Sequence, residues 1–232
     1  MSAGRPRRGK PQQQLISVDS GSGAAEAYRV LRTNLQFCDV DQGIRRLLVT
    51  SSTPGEGKST TAANLAVSFA QIEKRVTLVD ADLRQPYLHL MFGVSNLVGL
   101  TSVLLGRLDS GQALRPTGFP GLSLLPSGPT PPNPAEMIGA TDMQALLDEL
   151  STQADLLVID SPPVGLFTDA CLLAPLVDGV LLVVGAGQVS RDHALQAKRQ
   201  LEAVRARVLG VVLNGIEPTS TYYRHYYYQG KA

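Results

Sequence analysis

The sequence predicts an α/β fold: one doubly wound domain, its mostly parallel sheet covered by helices on both faces. Apolar runs of strand length alternate with helical stretches, and most are continuously apolar, as strands buried on both faces must be. The 232 residues suffice for one sizeable core. Three carboxylates, Asp80, Asp82 and Asp160, directly follow such runs, where a doubly wound sheet gathers its chemistry.

Taken in order, residues 1–23 are rich in Arg, Gln, Gly and Ser and read as a disordered tail. Its basic residues Arg5, Arg7, Arg8 and Lys10 are either solvated or a partner- or lipid-binding arm. No apolar core follows them, so the segment does not read as a signal peptide. The folded domain is expected over 24–214, with a flexible tail over 215–232. Residues 24–37 read as a helix, with Tyr28, Leu31 and Leu35 facing the body. Glu26, Arg29 and Arg32 share another face, either solvated with a local Glu–Arg pair or a charged docking stripe.

Residues 47–49 read as a buried strand and 61–71 as a helix. Between them runs Ser51-Ser52-Thr53-Pro54-Gly55-Glu56-Gly57-Lys58-Ser59-Thr60. Strand, Gly-rich turn, Lys-Ser and helix make the context of a phosphate-binding loop. Backbone N–H groups and a helix N-terminus face anionic oxygens there. Lys58 would reach the β- and γ-phosphates of a nucleotide, and the Ser59 hydroxyl would ligate Mg²⁺. Ser52 stands where the usual pattern has its first Gly.

Residues 75–79 form the second strand, running into Asp80-Ala81-Asp82-Leu83-Arg84. If that segment is extended, Asp80 and Asp82 project the same way, so one can ligate a metal while the other accepts a proton. Arg84 is open between a phosphate contact, a pair with a neighbouring chain and an ordinary surface arginine. A helix near 101–105 and a strand at 122–125 follow. Residues 128–134 hold four prolines and read as an extended loop. Residues 141–150 read as a helix with Thr141 as N-cap. Residues 156–159 form a buried strand ending in Asp160, a Walker B type acid. A strand at 180–184, a helix at 191–205 and a strand at 208–213 complete the domain.

Five of the seven tyrosines crowd into the last eleven residues, whereas a core would spread them. A stacking platform for single-stranded nucleic acid would need more positive charge than Arg224 and Lys231 supply, so no nucleic-acid partner is expected. The net charge of +1 likewise gives no global field toward nucleic acid or acidic lipid. Cys38 and Cys171 fit reduced thiols in a cytoplasmic protein. No apolar run approaches the roughly 20 residues of a membrane span. Any work at a membrane would then need a separate anchor.

This combination resembles the bacterial tyrosine kinases of capsular and exopolysaccharide synthesis, most of all their stand-alone cytoplasmic kinase subunit. The loop 51–59 resembles that family's Walker A motif, including the absent first Gly. Val79-Asp80-Ala81-Asp82-Leu83-Arg84-Gln85-Pro86 resembles its Walker A′ motif and Ile159-Asp160-Ser161-Pro162-Pro163 its Walker B motif. Glu26, Arg29 and Arg32 match its oligomerisation motif, and Tyr222, Tyr223, Tyr226, Tyr227 and Tyr228 its tyrosine cluster. The resemblance implies a P-loop NTPase fold of the ParA/MinD-like subgroup and an ATP- and Mg²⁺-dependent tyrosine kinase that phosphorylates its own tail and other protein tyrosines.

It further implies nucleotide binding by Thr53, Pro54, Gly55, Glu56, Gly57, Lys58, Ser59 and Thr60, with Asn214 near the adenine. Lys58, Asp80 and Asp82 would be catalytic, and Ser59, Asp82 and Asp160 would position Mg²⁺. It implies a homo-oligomeric ring and a transmembrane activator of the chain-length-regulator type that holds the kinase at the inner membrane face. Two rivals are a partitioning ATPase of the ParA or MinD kind and a nucleotide-switched assembly protein without essential kinase activity. The first usually carries an additional Lys early in its P-loop, and Ser51-Ser52-Thr53-Pro54 has none.

Overall fold

A computed structural model describes Leu15 and residues 22–38 and 43–216. Most of the basic N-terminal segment and the tyrosine cluster lie outside the described residues. The strands are β1 (Arg46–Ser51), β2 (Val76–Asp80), β3 (Arg115–Pro116), β4 (Leu122–Leu125), β5 (Leu156–Asp160), β6 (Gly179–Gly185) and β7 (Val208–Asn214). They form one sheet in the order β3-β4-β2-β5-β1-β6-β7. Every neighbouring pair is parallel except β3 with β4. β2 lies to one side of β1 and β6 to the other, so the winding reverses at β1, where such sheets bind ligands.

Alternation along the strands splits the core in two. Leu47 and Val49 of β1 point to one face while Leu48 points to the other. The first face is covered by α1 (Gly23–Phe37), α2 (Lys58–Ala70) and α3 (Leu88–Phe92). Helix α2 is built from small residues, and every residue from Thr61 to Ala70 is buried, which lets it lie close over the sheet. The second face carries α4 (Leu100–Leu104), α5 (Ser110–Ala113), α6 (Pro134–Ile138), α7 (Thr141–Gln153), α8 (Asp169–Leu173) and α9 (Arg191–Ala203).

Two local expectations are corrected. Thr141 is the first residue of α7 and not its cap: Ala140 holds the extended conformation before the helix, and no side chain caps it. The proline-rich stretch is not extended throughout, because Pro134 opens α6. At a first helical position its missing N–H removes no hydrogen bond, and its fixed φ suits the turn.

Candidate active site

The site lies at the C-terminal ends of three adjacent strands, β2, β5 and β1. Asp80 and Asp160 are the last residues of β2 and β5, and they are register partners across that ladder. Parallel pairing therefore sets two fully buried carboxylates side by side. Asp82 follows on the loop after β2 and is also buried.

Lys58, the first residue of α2, reaches into this cluster. Its Nζ stands 2.7 Å from Asp82 Oδ2 and 3.4 Å from each oxygen of Asp160. It also donates to Ser59 Oγ at 3.1 Å. Burial alone would lower the Lys58 ammonium, but the Asp160 and Asp82 carboxylates outweigh it and hold it above the ordinary lysine range. Burial, reinforced by the Asp160 charge, pushes Asp80 well above the usual carboxylate range. Burial also raises Asp160, against the pull of Lys58 and a hydrogen bond with Ser59. One Asp80 oxygen accepts from Leu88 N at 3.2 Å, while Oδ1 is buried without a hydrogen-bond partner.

The loop before Lys58 is held by Glu56. Glu56 is among the loop residues expected to bind nucleotide, and its carboxylate turns inward and is buried. Oε2 accepts from Ser52 Oγ at 2.8 Å and Thr53 N at 2.5 Å, and Oε1 accepts from Gly185 N at the end of β6 at 3.0 Å. The backbone carbonyl of Glu56 accepts from Asn214 Nδ2 at 2.9 Å. The carboxylate thus ties Ser52 and Thr53 at the start of the loop to the end of β6. Gly57 has φ of +90°, and a Cβ there would come within 2.1 Å of Asn214 Nδ2, so only Gly fits. Asn214, expected near adenine, is placed against the base of this loop.

Arg84 settles as an intrachain partner. Its Nη2 donates to Asp169 Oδ2 at 3.0 Å, and its guanidinium lies 4.2 Å from the centre of the Phe167 ring. Neither Asp169 nor Phe167 carried a local sequence signal. On α1, Arg29 pairs with Glu26 at 2.9 Å, and Arg32 Nη1 donates to Ser68 O on α2 at 2.6 Å. Part of the charged stripe therefore staples α1 to the body. The candidate acceptors Tyr222, Tyr223, Tyr226, Tyr227 and Tyr228 lie outside the described residues.

The donor set suits Mg²⁺. Lys58 pairs with the buried carboxylates of Asp82 and Asp160, and beside them the Asp80 Oδ1 is buried without a partner, so the cluster has oxygen atoms to offer a cation. Among the described residues no group of three or more His, Cys, Asp or Glu side chains is disposed to hold an ion unaided. Mg²⁺ asks for less, since it keeps several waters and takes one or two carboxylates beside phosphate oxygens.

Known proteins share this sequence and fold. A ParA family model, described as NUBPL iron-transfer P-loop NTPase, matches residues 44–225. Tyrosine-protein kinase YwqD of Bacillus subtilis (strain 168) is 41% identical over 216 residues, covering 93% of this chain and 91% of the relative. The kinase domain of Escherichia coli tyrosine kinase ETK has a TM-score of 0.84 at 31% identity, covering 93% of this chain and 85% of that one. The cell division ATPase MinD of Pyrococcus furiosus is more distant, with a TM-score of 0.63, 28% identity and coverage of 73% and 71%. Fold, strand-end carboxylates and sequence agree: the chain belongs to the bacterial tyrosine kinases of capsule and exopolysaccharide biosynthesis, within the ParA-type P-loop NTPases.

Proposed function

We propose that the chain transfers the γ-phosphoryl group of Mg-ATP to tyrosine hydroxyls, those of its own C-terminal cluster among them. Family membership makes it an ATP-dependent protein-tyrosine kinase acting in the control of polysaccharide assembly. The observation that carries the site assignment is Lys58 Nζ held between Asp82 and Asp160, beside Ser59, at the end of a Gly-rich loop.

In this reading the loop 53–60 wraps the phosphates and its amides from Gly55 onward cradle them, since Pro54 has no N–H and Thr53 N donates to Glu56, and Lys58 exchanges its carboxylate partners for phosphate oxygens. Ser59, Asp82 and Asp160 would hold Mg²⁺, which when bound neutralises charge on the β- and γ-phosphates. Asp80 takes the proton from the tyrosine hydroxyl. Its unpartnered Oδ1 supports that role. The tyrosine oxygen forms the new O–P bond, the bond to the β-phosphate bridging oxygen breaks, and ADP departs.

The same reading takes 24–214 as the kinase domain and 1–23 and 215–232 as its two tails. Tyr222 lies eight residue steps beyond Asn214, a reach of roughly 26–29 Å when extended. The tail can therefore serve a neighbouring copy in a ring built through α1. Each phosphate adds about −1.5 to −2 charges, which the acidic site would repel, so phosphorylation should loosen the ring. Among the described residues no helix is long and apolar enough to cross a membrane. A transmembrane activator would place the kinase at the inner face.

The test mixes an active chain lacking residues 221–232 with a Lys58→Met chain that keeps its tail, under labelled ATP and Mg²⁺, followed by phosphosite mapping. Label on the tail tyrosines of the inactive chain is expected. Its absence despite co-assembly would exclude transfer between copies, and no label in the wild-type chain, with or without its activator, would remove the tail as substrate.

A further inference from the structure

Asp82 is held at both ends. Its Oδ2 meets Lys58 at 2.7 Å. Its Oδ1 accepts from two backbone amides of the following turn, Arg84 N at 3.3 Å and Gln85 N at 2.9 Å. The orientation of Asp82 therefore depends on where residues 84 and 85 lie.

That turn is tied down from outside. Arg84 Nε stands 3.2 and 3.3 Å from the two Asp169 oxygens, and Nη2 stands 3.0 Å from Oδ2. Asp169 is fully buried and Arg84 is the partner that answers its charge. A buried carboxylate without such a partner would be costly, so the pair resists opening. The Phe167 ring covers the guanidinium face at 4.2 Å. Phe167 lies between β5 and α8 and Asp169 opens α8, so the pair ties the loop bearing Asp82 to the segment that follows Asp160.

We propose that Asp169 is a positioning residue for Asp82, acting through Arg84 to keep one Asp82 oxygen aimed at the nucleotide-bound metal. The proposal deepens the metal role given to Asp82 above. When Lys58 turns to phosphate, Asp82 loses its partner at Oδ2, and the 84–85 amides become its remaining fixed hold. The forked geometry also explains the residue type. Arg spans both oxygens of Asp169, whereas Lys would offer one movable ammonium.

The test titrates a fluorescent ATP analogue into the full chain at stepped Mg²⁺ and again in EDTA, for wild type, Asp169→Asn, Arg84→Lys, the double variant and Asp82→Ala. Asp169→Asn and Arg84→Lys should each raise the Mg²⁺ midpoint by about tenfold, the lower end for loss of a residue that orients a metal ligand. The double variant should be no worse than either single one, and affinity in EDTA should stay within about twofold, because a shared path to Asp82 predicts non-additivity. Wild-type midpoints in folded Arg84→Lys, or equal losses with and without Mg²⁺, would overturn the proposal. Arg84→Lys decides if Asp169→Asn does not fold, since the Arg84 side chain is 26% exposed. An unchanged midpoint in Asp82→Ala would sink the metal role of Asp82 and this inference with it. A shift in Asp82→Ala beside unshifted Arg84 and Asp169 variants would sink the inference alone.

Discussion

The Ser52 hydroxyl donates to the Glu56 carboxylate at 2.8 Å inside the loop expected to wrap phosphate. A hydroxyl thus stands where the usual motif has Gly, and it is used. Gly at 52 would take away one of the donors that let a carboxylate sit buried there. Glu56→Gln keeps the shape but turns an NH₂ toward a donor, at Ser52 and Thr53 or at Gly185. One unsatisfied buried group costs about 1–3 kcal/mol. A melting temperature lower by roughly 2–4 °C per kcal/mol is expected. Nucleotide affinity should fall with it, and calorimetry with nucleotide titration checks both. An unchanged melt would mean that the inward carboxylate is dispensable.

Lys58→Met should abolish tyrosine phosphorylation while leaving a folded protein. Removing the cation paired with the buried Asp82 and Asp160 costs roughly 3–5 kcal/mol. The variant should therefore melt earlier than wild type, and Mg²⁺ should recover more stability for it than for wild type. Phosphotyrosine immunoblotting and melts with and without Mg²⁺ are the measurements; labelled tyrosine on the folded variant would count against the site.

The charged face of α1 needs a substitution that spares its internal staple. Arg32 bonds Ser68 O, so Arg32→Ala would disturb the packing of α1 on α2 as well as any contact between copies. The Glu26→Ala, Arg29→Ala double variant leaves that bond in place. Its stability should stay within about 1 kcal/mol of wild type, since an exposed pair contributes no more than that. Under ATP and Mg²⁺ its mass by light scattering should drop toward the monomer, and a wild-type distribution would remove this face from the ring.

At the other end of the sheet, Arg75 and Asp155 tie the starts of β2 and β5. The Arg75 guanidinium and backbone amide hold the Asp155 carboxyl down to about 2. A depressed carboxylate stabilises the fold above its unfolded value, near ~3.9. That contribution is lost as pH falls through the folded value. The melting difference between wild type and Asp155→Asn should be constant from pH 5 to 7 and shrink toward pH 2. A difference that grew on acidification would have the wrong sign.

The Gly-rich turn and the strand-end acids were legible in the sequence because each rests on local spacing: a short apolar run, then a small or acidic residue. The layered sheet was legible for the same reason, since buried parallel strands are apolar throughout. Partners far apart were not. Arg84 and Asp169 are 85 positions apart, and nothing beside either names the other. The inward turn of Glu56 depends on Gly185, 129 positions away. The Thr141 cap was misread because one residue of extended backbone, at Ala140, moves the helix start past the side chain that would cap it.

The bond from Asn214 Nδ2 to the carbonyl of Glu56 has a consequence for the order in which this molecule is made. Asn214 is the last residue of β7, and Gly185 is the last residue of β6. A ribosome finishes the whole Gly-rich loop well before it reaches Gly185 and Asn214, so that loop at first lacks two of its clamps. It acquires them only when β6 and β7 have emerged and docked. A nascent chain should therefore hold nucleotide poorly until residue 214 has emerged, so that phosphotransfer begins only in a sheet with β7 in place.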